Sequence, residues 1–397
     1  MDHELNQITQ KVADFILQAD EGVASRQFDR LALEVFEFQY KSIEPYRKLC
    51  QRQGKTPETV QTWSDIPAVP ADAFKHFSLF AGRPEDVVKI FKSSGTTDPS
   101  HSSQAHFSRS GLELMNTAVS VNAARMLFPD GCRTRLLVLA PPLEQSPASI
   151  MVYGMTHLIN IFGLEGSGFF VDTNGLKVDV LLAQLQQCQT ENIPVTLIGS
   201  SFGFVHLFDA MASKGTCLIL PQGSRLMDAG GYKGRSREIE RTAFVKWACS
   251  MLGLLPERVV NLLGMTEMAS QIYDNVLKQD LRRSITKQST DSIIRMKEPP
   301  FWVRTQVIDF TQLRQGKFPL VATIGRTGLL RHLDLANVER PMMIQSEDVG
   351  LYCAIPIEDQ SKQGEQYGFE ILRRAKSAEP RGCSLSMEEF QQSYTNN

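Results

Sequence analysis

Val87-Val88-Lys89-Ile90-Phe91-Lys92-Ser93-Ser94-Gly95-Thr96-Thr97-Asp98-Pro99-Ser100 is the stretch from which the rest of the chain can be read. Its first six residues, rich in β-branched and aromatic side chains, predict a strand. The strand runs into a turn where four hydroxyl residues, Ser93, Ser94, Thr96 and Thr97, surround Gly95. Successive backbone N–H groups in such a turn form a concavity that suits an anion, and the hydroxyls add donors. A triphosphate matches that chemistry. The segment is not a Walker loop, because no Gly-Lys-Ser/Thr follows. Taken on its residues alone, it serves equally well as a polar turn.

Upstream, Leu5, Ile8, Val12, Phe15 and Ile16 recur at helical spacing, as do Phe28, Leu31, Val35 and Phe36. Amphipathic helices are expected there. The stretch Trp63–Pro70, with two prolines, ends that pattern. Downstream, Leu112–Met126 reads as a helix. The apolar runs Leu136–Ala140, Val195–Gly199, Cys217–Leu220 and Val259–Leu263 read as strands with helices between them. That alternation predicts an α/β fold with a largely parallel sheet. Past residue 300 the runs Trp302–Ile308, Leu320–Ile324 and Met342–Gln345 are strand-like, so a β-rich section is expected, followed by a short charged tail. Three regions result: an N-terminal helical region over 1–86 packed on the main domain, a main domain over 87–370, and a short C-terminal domain or tail over 371–397.

Bulk properties narrow the function classes. The chain has 397 residues, with 42 Lys and Arg against 44 Asp and Glu and a net charge of −2. No basic excess points to nucleic acid or an anionic membrane. The seven cysteines are scattered and include no Cys-x-x-Cys, so neither a zinc site nor a disulfide framework is indicated. A reducing compartment fits that usage. The polar N-terminus lacks secretory features. The most apolar stretch, Ala148–Leu164, is interrupted by Thr156, His157 and Asn160 and is too short to span a bilayer. A cytoplasmic location is therefore expected.

The hydroxyl-rich turn acquires meaning from two further segments. Ser93-Ser94-Gly95-Thr96-Thr97 resembles the phosphate loop of the adenylate-forming superfamily, which includes acyl-CoA synthetases, adenylation domains and luciferases. The superfamily's Gly-x-Pro-Lys continuation is replaced by Asp98-Pro99-Ser100-His101. Asn261-Leu262-Leu263-Gly264-Met265-Thr266-Glu267 is similar to the superfamily's aromatic-Gly-x-Thr-Glu segment, with Leu263 in the aromatic position. The resemblance implies a phosphate contact for Thr266 and Mg²⁺ binding for Glu267. Mg²⁺ takes hard oxygen ligands and shields phosphate charge. Ser346-Glu347-Asp348-Val349-Gly350 is similar to Thr-Gly-Asp-x-Gly, which implies that Asp348 accepts both ribose hydroxyls of ATP. Gly230, Gly231 and Tyr232 fall where the superfamily borders the adenine. They read equally as a flexible glycine-rich loop. The three main motifs keep the superfamily's order. The fold implied is a large α/β adenylate-forming domain with mixed and parallel sheets, a β-rich section and a shortened C-terminal domain.

The C-terminal part resembles one branch. Gly368-Phe369-Glu370-Ile371-Leu372-Arg373-Arg374 and Glu379-Pro380-Arg381-Gly382-Cys383-Ser384-Leu385 are similar to the signature of acyl-protein synthetases, the long-chain-fatty-acid–luciferin-component ligases. Arg374 matches that group's arginine, and Arg373 stands where a glycine is usual. The resemblance implies that Cys383 takes the acyl group from the adenylate and that a partner acyl reductase receives it. A thiolate is a competent nucleophile, and Arg381 nearby favours it. About fifty residues follow Asp348, so the larger C-terminal domain of other members, with its lysine, has no clear counterpart. The substrate implied is a carboxylic acid, a fatty acid by this resemblance. Ile150, Met151, Tyr153, Phe202 and Phe204 are candidate walls of an apolar acyl pocket and, equally, core residues.

Three other readings compete. One is a ligase of the same superfamily that loads CoA or a carrier-protein thiol without Cys383. Another is a catalytically silent nucleotide-binding scaffold subunit. The third is a serine hydrolase built on Gly199-Ser200-Ser201-Phe202-Gly203, whose outline matches Gly-x-Ser-x-Gly without an ordered acid–histidine pair.

Overall fold

Three helices lead the chain: α1 (Asp2–Gln18), α2 (Ala24–Ser42) and α3 (Glu44–Arg52). Their apolar residues recur at helical spacing, and Leu5, Ile8, Val12, Phe15, Phe28, Leu31, Val35 and Phe36 are all buried. The computed structural model describes residues 2–18, 24–93, 102–231, 236–286, 293–309, 325–354 and 367–375. After α3 come β1 (Val69–Pro70), β2 (Lys89–Lys92), β3 (Gln104–Phe107) and α4 (Arg109–Met126). Then follow β4 (Arg135–Leu139), α5 (Ile150–Phe162), β5 (Gly168–Phe169), β6 (Val171–Asp172), β7 (Gly175–Leu176), α6 (Val178–Thr190), β8 (Val195–Ser200), α7 (Ser201–Ser213), β9 (Arg225–Ala229) and α8 (Arg241–Leu252). The rest comprises β10 (Val259–Leu263), β11 (Ile272–Asp274), α9 (Val276–Thr286), β12 (Lys297–Glu298), β13 (Val303–Asp309), β14 (Thr327–Asp334), β15 (Met343–Ala354) and β16 (Tyr367–Arg374). No helix among the described residues is long and apolar enough to cross a membrane.

The described residues fall into two compact units, one drawn from 1–118, 265–271 and 296–397, the other from 119–264 and 272–295. In the second unit the strand order is β11-β10-β9-β8-β4-β5. The strands from β10 to β5 are parallel, and β11 runs antiparallel to β10. Parallel neighbours need crossovers longer than a hairpin, and α6, α7 and α8 lie in those connections. Leu137, Leu197, Leu226 and Val259 from the strands pack with Leu181, Leu185, Phe204, Phe208, Phe244 and Ala248 from the helices. β4 and β9 are buried at every position and β8 and β10 at most, as a parallel sheet covered by helices requires.

One expected strand is displaced. Residues 217–220 form no strand; the strand of that region is β9, at Arg225–Ala229. The N–H groups of Leu218 and Leu220 donate to the carbonyls of Met251 and Leu252, at 2.9 and 3.0 Å, and so bind the end of α8 instead of a ladder. A short apolar run does not by itself distinguish a strand from a packed coil. Arg225 and Asp228 hid the true strand. Arg225 is wholly buried because Asp130 and the carbonyls of Leu127 and Gly223 take its donors.

In the first unit β13-β14-β15-β16-β12 form an antiparallel array, with β1 parallel to β15. The expected strands at Trp302–Ile308 and Met342–Gln345 correspond to β13 and the start of β15. The one at Leu320–Ile324 lies outside the described residues. β2 and β3 pair separately as an antiparallel hairpin.

The β14–β15 connection is polar yet buried. Asp334, Asn337, Glu339 and Arg340 expose almost nothing. Every buried polar group needs a partner, and here the partners come from far along the chain. Gln39 of α2 directs its amide N–H toward the carbonyls of Asn337, Val338 and Arg340 at 2.6, 3.0 and 2.5 Å, and its Oε1 accepts the Met342 N–H at 3.1 Å. Glu339 accepts the Ser108 N–H at 3.1 Å and the Ser108 hydroxyl. Arg340 stacks on Phe107, 3.7 Å from its centroid, and donates to the His106 carbonyl at 3.0 Å. Replacing Gln39→Leu keeps the volume and strands these backbone groups. It should destabilise the protein by about 2–4 kcal/mol, read as a lower urea midpoint at unchanged slope.

Candidate active site

β2 and β3, which flank the hydroxyl-rich stretch in sequence, pair as far as Lys92–Gln104. Beyond it the neck is closed by two bonds: the Ser93 N–H donates to the Ser103 carbonyl, and the Ser103 N–H to Ser93 Oγ, both at 3.0 Å. Ser94, Gly95, Thr96 and Thr97 lie outside the described residues, as do Tyr232 and Cys383.

Ser103 also hydrogen-bonds through its side chain to the Glu267 carboxylate. The closed base of the hairpin and the candidate metal-binding residue are thus in direct contact. Thr266 and Glu267 are both buried. Their segment is clamped by the β14–β15 connection. Asn337 donates its amide to the Glu267 carbonyl at 2.7 Å and accepts the Ala269 N–H at 2.9 Å. Asp334 accepts both the N–H and the hydroxyl of Ser270 at 2.7 Å, and Trp302 Nε1 donates to that hydroxyl at 2.9 Å. Burial pushes the Glu267 carboxyl above its ordinary range, and the Ser103 hydrogen bond, then Arg374 and Lys75, pull it back.

No cluster of three or more His, Cys, Asp or Glu side chains occurs among the described residues. A cage built wholly from such side chains is therefore not formed there. A buried carboxylate such as Glu267 nevertheless suits Mg²⁺, which is commonly held by one or two carboxylates together with substrate phosphates and water.

Asp348 and Arg374 form the second part of this cluster. They are register partners on β15 and β16, next to an irregularity between Val349 and Gly350. Gly350 admits no side chain, because a Cβ would lie 2.4 Å from the Glu370 carbonyl oxygen. Arg374 Nε lies 3.6 Å from Asp348 Oδ1, and its Nη1 lies 3.7 Å from Glu347 Oε2. The Arg374 side chain is 77 % exposed, and Asp348 only 14 %. Burial raises the Asp348 carboxyl, Arg374 lowers it and Glu347 raises it. Arg374 therefore acts on both Glu267 and Asp348, joining the two in one electrostatic neighbourhood. The main chain of Asp348 is fixed by its N–H donating to Ser346 Oγ at 3.1 Å, and that hydroxyl donates to the Leu330 carbonyl at 3.0 Å.

In the second unit a separate polar network gathers at the carboxyl ends of β8, β9 and β10, the usual ligand-binding edge of such sheets. Asp228 is its centre. It accepts from Ser201 Oγ at 2.9 Å, Asn261 Nδ2 at 2.9 Å and Arg241 Nη1 at 2.7 Å. The Ser201 hydroxyl also lies 3.0 Å from the Gly230 carbonyl, so it anchors the start of the loop holding Gly230 and Gly231. Gly230 has φ 70°, a left-handed conformation that a side chain would strain. Bonded in this way and buried, Ser201 is an anchor, which removes the basis of the hydrolase reading. Arg225, a few residues before this loop, is a buried strand residue.

Among the candidate acyl-pocket residues, Phe204 is core, packed edge-on against Phe244. Ile150, Met151, Tyr153 and Phe202 are half-buried. Met151 Sδ stands 3.0 Å from where a Cβ on Gly264 would lie, so the start of α5 abuts the glycine of the Gly264–Glu267 motif.

Residues 3–391 match the family model described as acyl-protein synthetase, LuxE. The chain belongs to the LuxE acyl-protein synthetase family. A curated relative, the long-chain-fatty-acid–luciferin-component ligase of Vibrio harveyi, is 24% identical over 364 residues, covering 91% of this chain and 87% of that one. Solved structures similar to it include ATP-bound MatB from Rhodopseudomonas palustris, 15% identical with a TM-score of 0.43, covering 82% of this chain and 56% of that one. Another is the long-chain-fatty-acid-CoA ligase FadD1 from Archaeoglobus fulgidus, 12% identical with a TM-score of 0.45, covering 73% of this chain and 52% of that one. This chain spans about half the length of those two structures. Acyl-protein synthetases are adenylate-forming ligases, and this family member is an enzyme of that class.

Ser103, Lys75, Asp334 and Asn337 act on Glu267 or hold its segment in the candidate site, and no motif revealed them. Each lies far in sequence from Glu267, and none stands in a pattern of its own. Glu267 itself carries a testable cost. A carboxyl raised by burial favours folding fully below its unfolded pKa, about 4.3, and that contribution is lost as pH rises through the folded value. Glu267→Gln should therefore match the parent in stability at acid pH and exceed it increasingly toward pH 7, in urea titrations compared across pH.

Proposed function

We propose that the chain uses ATP and Mg²⁺ to convert a long-chain fatty acid to its acyl-adenylate. The acyl group then moves to Cys383 and on to a partner acyl reductase. The observation that carries the reading is the Ser103–Glu267 hydrogen bond, which sets the buried carboxylate against the neck of the hydroxyl-rich hairpin. Family membership and the fatty-acid ligase relative support the substrate class.

In the first step a carboxylate oxygen of the acid attacks the α-phosphorus of ATP, a P–O bond forms, and pyrophosphate leaves. Positioning and charge neutralisation supply most of the acceleration in such transfers. Ser93, Ser94, Gly95, Thr96 and Thr97 cradle the phosphates, and Thr266 adds a hydroxyl contact. Glu267 holds Mg²⁺, which when bound neutralises phosphate charge. Asp348 accepts the ribose hydroxyls, Gly230, Gly231 and Tyr232 border the adenine, and Arg374 balances the two buried carboxylates. In the second step the Cys383 thiolate attacks the acyl carbonyl, the C–S bond forms, and AMP leaves with the electrons of the C–O bond.

ATP–pyrophosphate exchange against a panel of carboxylic acids tests the first step. Long-chain acids should stimulate exchange, and Glu267→Ala should reduce it on the order of 10²-fold or more. Absence of exchange with every acid would sink the adenylation reading. Cys383→Ser should retain exchange but lose hydroxylamine-labile acylation of the protein. If that variant instead passes the acyl group to CoA or a carrier protein at the parent rate, the CoA- or carrier-dependent reading replaces this one.

A further inference from the structure

One face of the β13–β15 array carries polar side chains in an apolar setting. Gln306 on β13 and Gln345 on β15 are the register partners of Arg331 on β14, and Arg304 lies two residues before Gln306 on the same face. The two arginines differ in their surroundings. Arg304 stacks 4.1 Å from the Phe28 centroid, donates to the Phe301 carbonyl at 2.7 Å and is drawn to the Asp29 carboxylate. Arg331 is not compensated in this way. Among the described residues its guanidinium makes no ion pair and no hydrogen bond, and the ionisable group acting on it is the Tyr46 phenol of α3. That phenol already donates to the Pro67 carbonyl at 2.9 Å.

The Arg331 side chain is nevertheless not wholly enclosed. Its Nε is sealed from solvent without a partner, while the side chain as a whole remains partly accessible. Gln306, 3 % exposed, also leaves its Oε1 sealed and without a partner. The β14–β15 register shifts between Leu329 and Arg331, so the ladder is irregular beside this position. Burial lowers the Arg331 pKa to about 10, so the group keeps its charge at neutral pH. A deep cation without a counter-charge is costly to hold, and removing its partner is what makes such groups unfavourable. Among the described residues no counter-charge pairs with it.

We infer that Arg331 and Gln306, beside Tyr46, form a binding site for a small oxyanion of the carboxylate or phosphate type. The guanidinium fork matches either oxyanion with paired N–H donors. The Gln306 amide turns to present its NH₂ group, since rotation about its last bond exchanges the two ends. The site uses none of the residues assigned to adenylation. An anion held there ties α3 to β14 and so stabilises the folded chain by mass action.

The full chain is titrated with inorganic phosphate, and separately with acetate, at fixed pH and ionic strength with chloride as the balancing salt, reading Tm. A saturable rise of on the order of a few degrees is expected in at least one arm. A response to phosphate alone assigns a phosphate-type ligand, and one to acetate alone assigns a carboxylate. Arg331→Met should weaken the half-saturating concentration at least tenfold. No saturable response of the parent to either anion overturns the proposal, as does an unchanged response in Arg331→Met, which would mean the ion binds elsewhere. Should that variant not fold, Arg331→Lys keeps the charge but loses the fork. It should weaken binding several-fold, and unchanged binding overturns the site.

Discussion

Asn337, wholly buried, donates its amide to the Glu267 carbonyl at 2.7 Å and accepts the Ala269 N–H at 2.9 Å. A side-chain amide that satisfies a carbonyl and an N–H two residues apart fixes the backbone between them. The Glu267–Ala269 segment is held in this way. Asn337 is itself held, because Gln39 binds the carbonyls around it and Arg340 donates to its Oδ1 at 3.1 Å. Arg340 in turn reaches the strand β3, and Ser103 at the start of that hairpin arm bonds Glu267. The chain of contacts closes on itself. A partly satisfied network in a low-dielectric interior is worse than none, so each member depends on the others.

This arrangement carries a cost in stability. Glu267 and Asp348 are carboxylates whose burial opposes ionisation. A folded chain selected for stability alone would hold amides or apolar residues there. Arg374, largely in solvent, offsets both charges without burying its own. Such groups gain most when a cation or a hydroxyl-bearing ligand arrives, since the desolvation has already been met during folding. By contrast Arg225 and Asp130 form an ion pair with full hydrogen bonding, which serves packing and leaves nothing for a ligand.

The second unit meets its polar groups in another way. Asp228 collects three side-chain donors at the carboxyl end of β9, and the same Ser201 hydroxyl that it accepts from also anchors the Gly230 carbonyl. The loop therefore departs from a rigid edge. Gly230 tolerates the left-handed turn that this departure requires.

Local periodicity determined much of this protein. Helical spacing of apolar residues placed α1, α2 and α4, and apolar runs placed β4, β8 and β10, because a helix stripe or a buried strand writes its own pattern into neighbouring residues. Motif chemistry singled out Thr266, Glu267, Asp348 and Arg374, since each stands in a short segment of distinctive composition. The tertiary structure alone decided the rest. Cys217–Leu220 is apolar yet binds the end of α8, while Arg225–Ala229 is charged yet forms the strand. Asp334, Asn337, Glu339, Arg340, Ser103 and Gln39 stand in no motif, and nothing local marks them as buried or bonded. Their partners stand tens to hundreds of positions away. The stability of a buried polar group is set by which distant donor or acceptor the fold brings to it, and no local pattern records that.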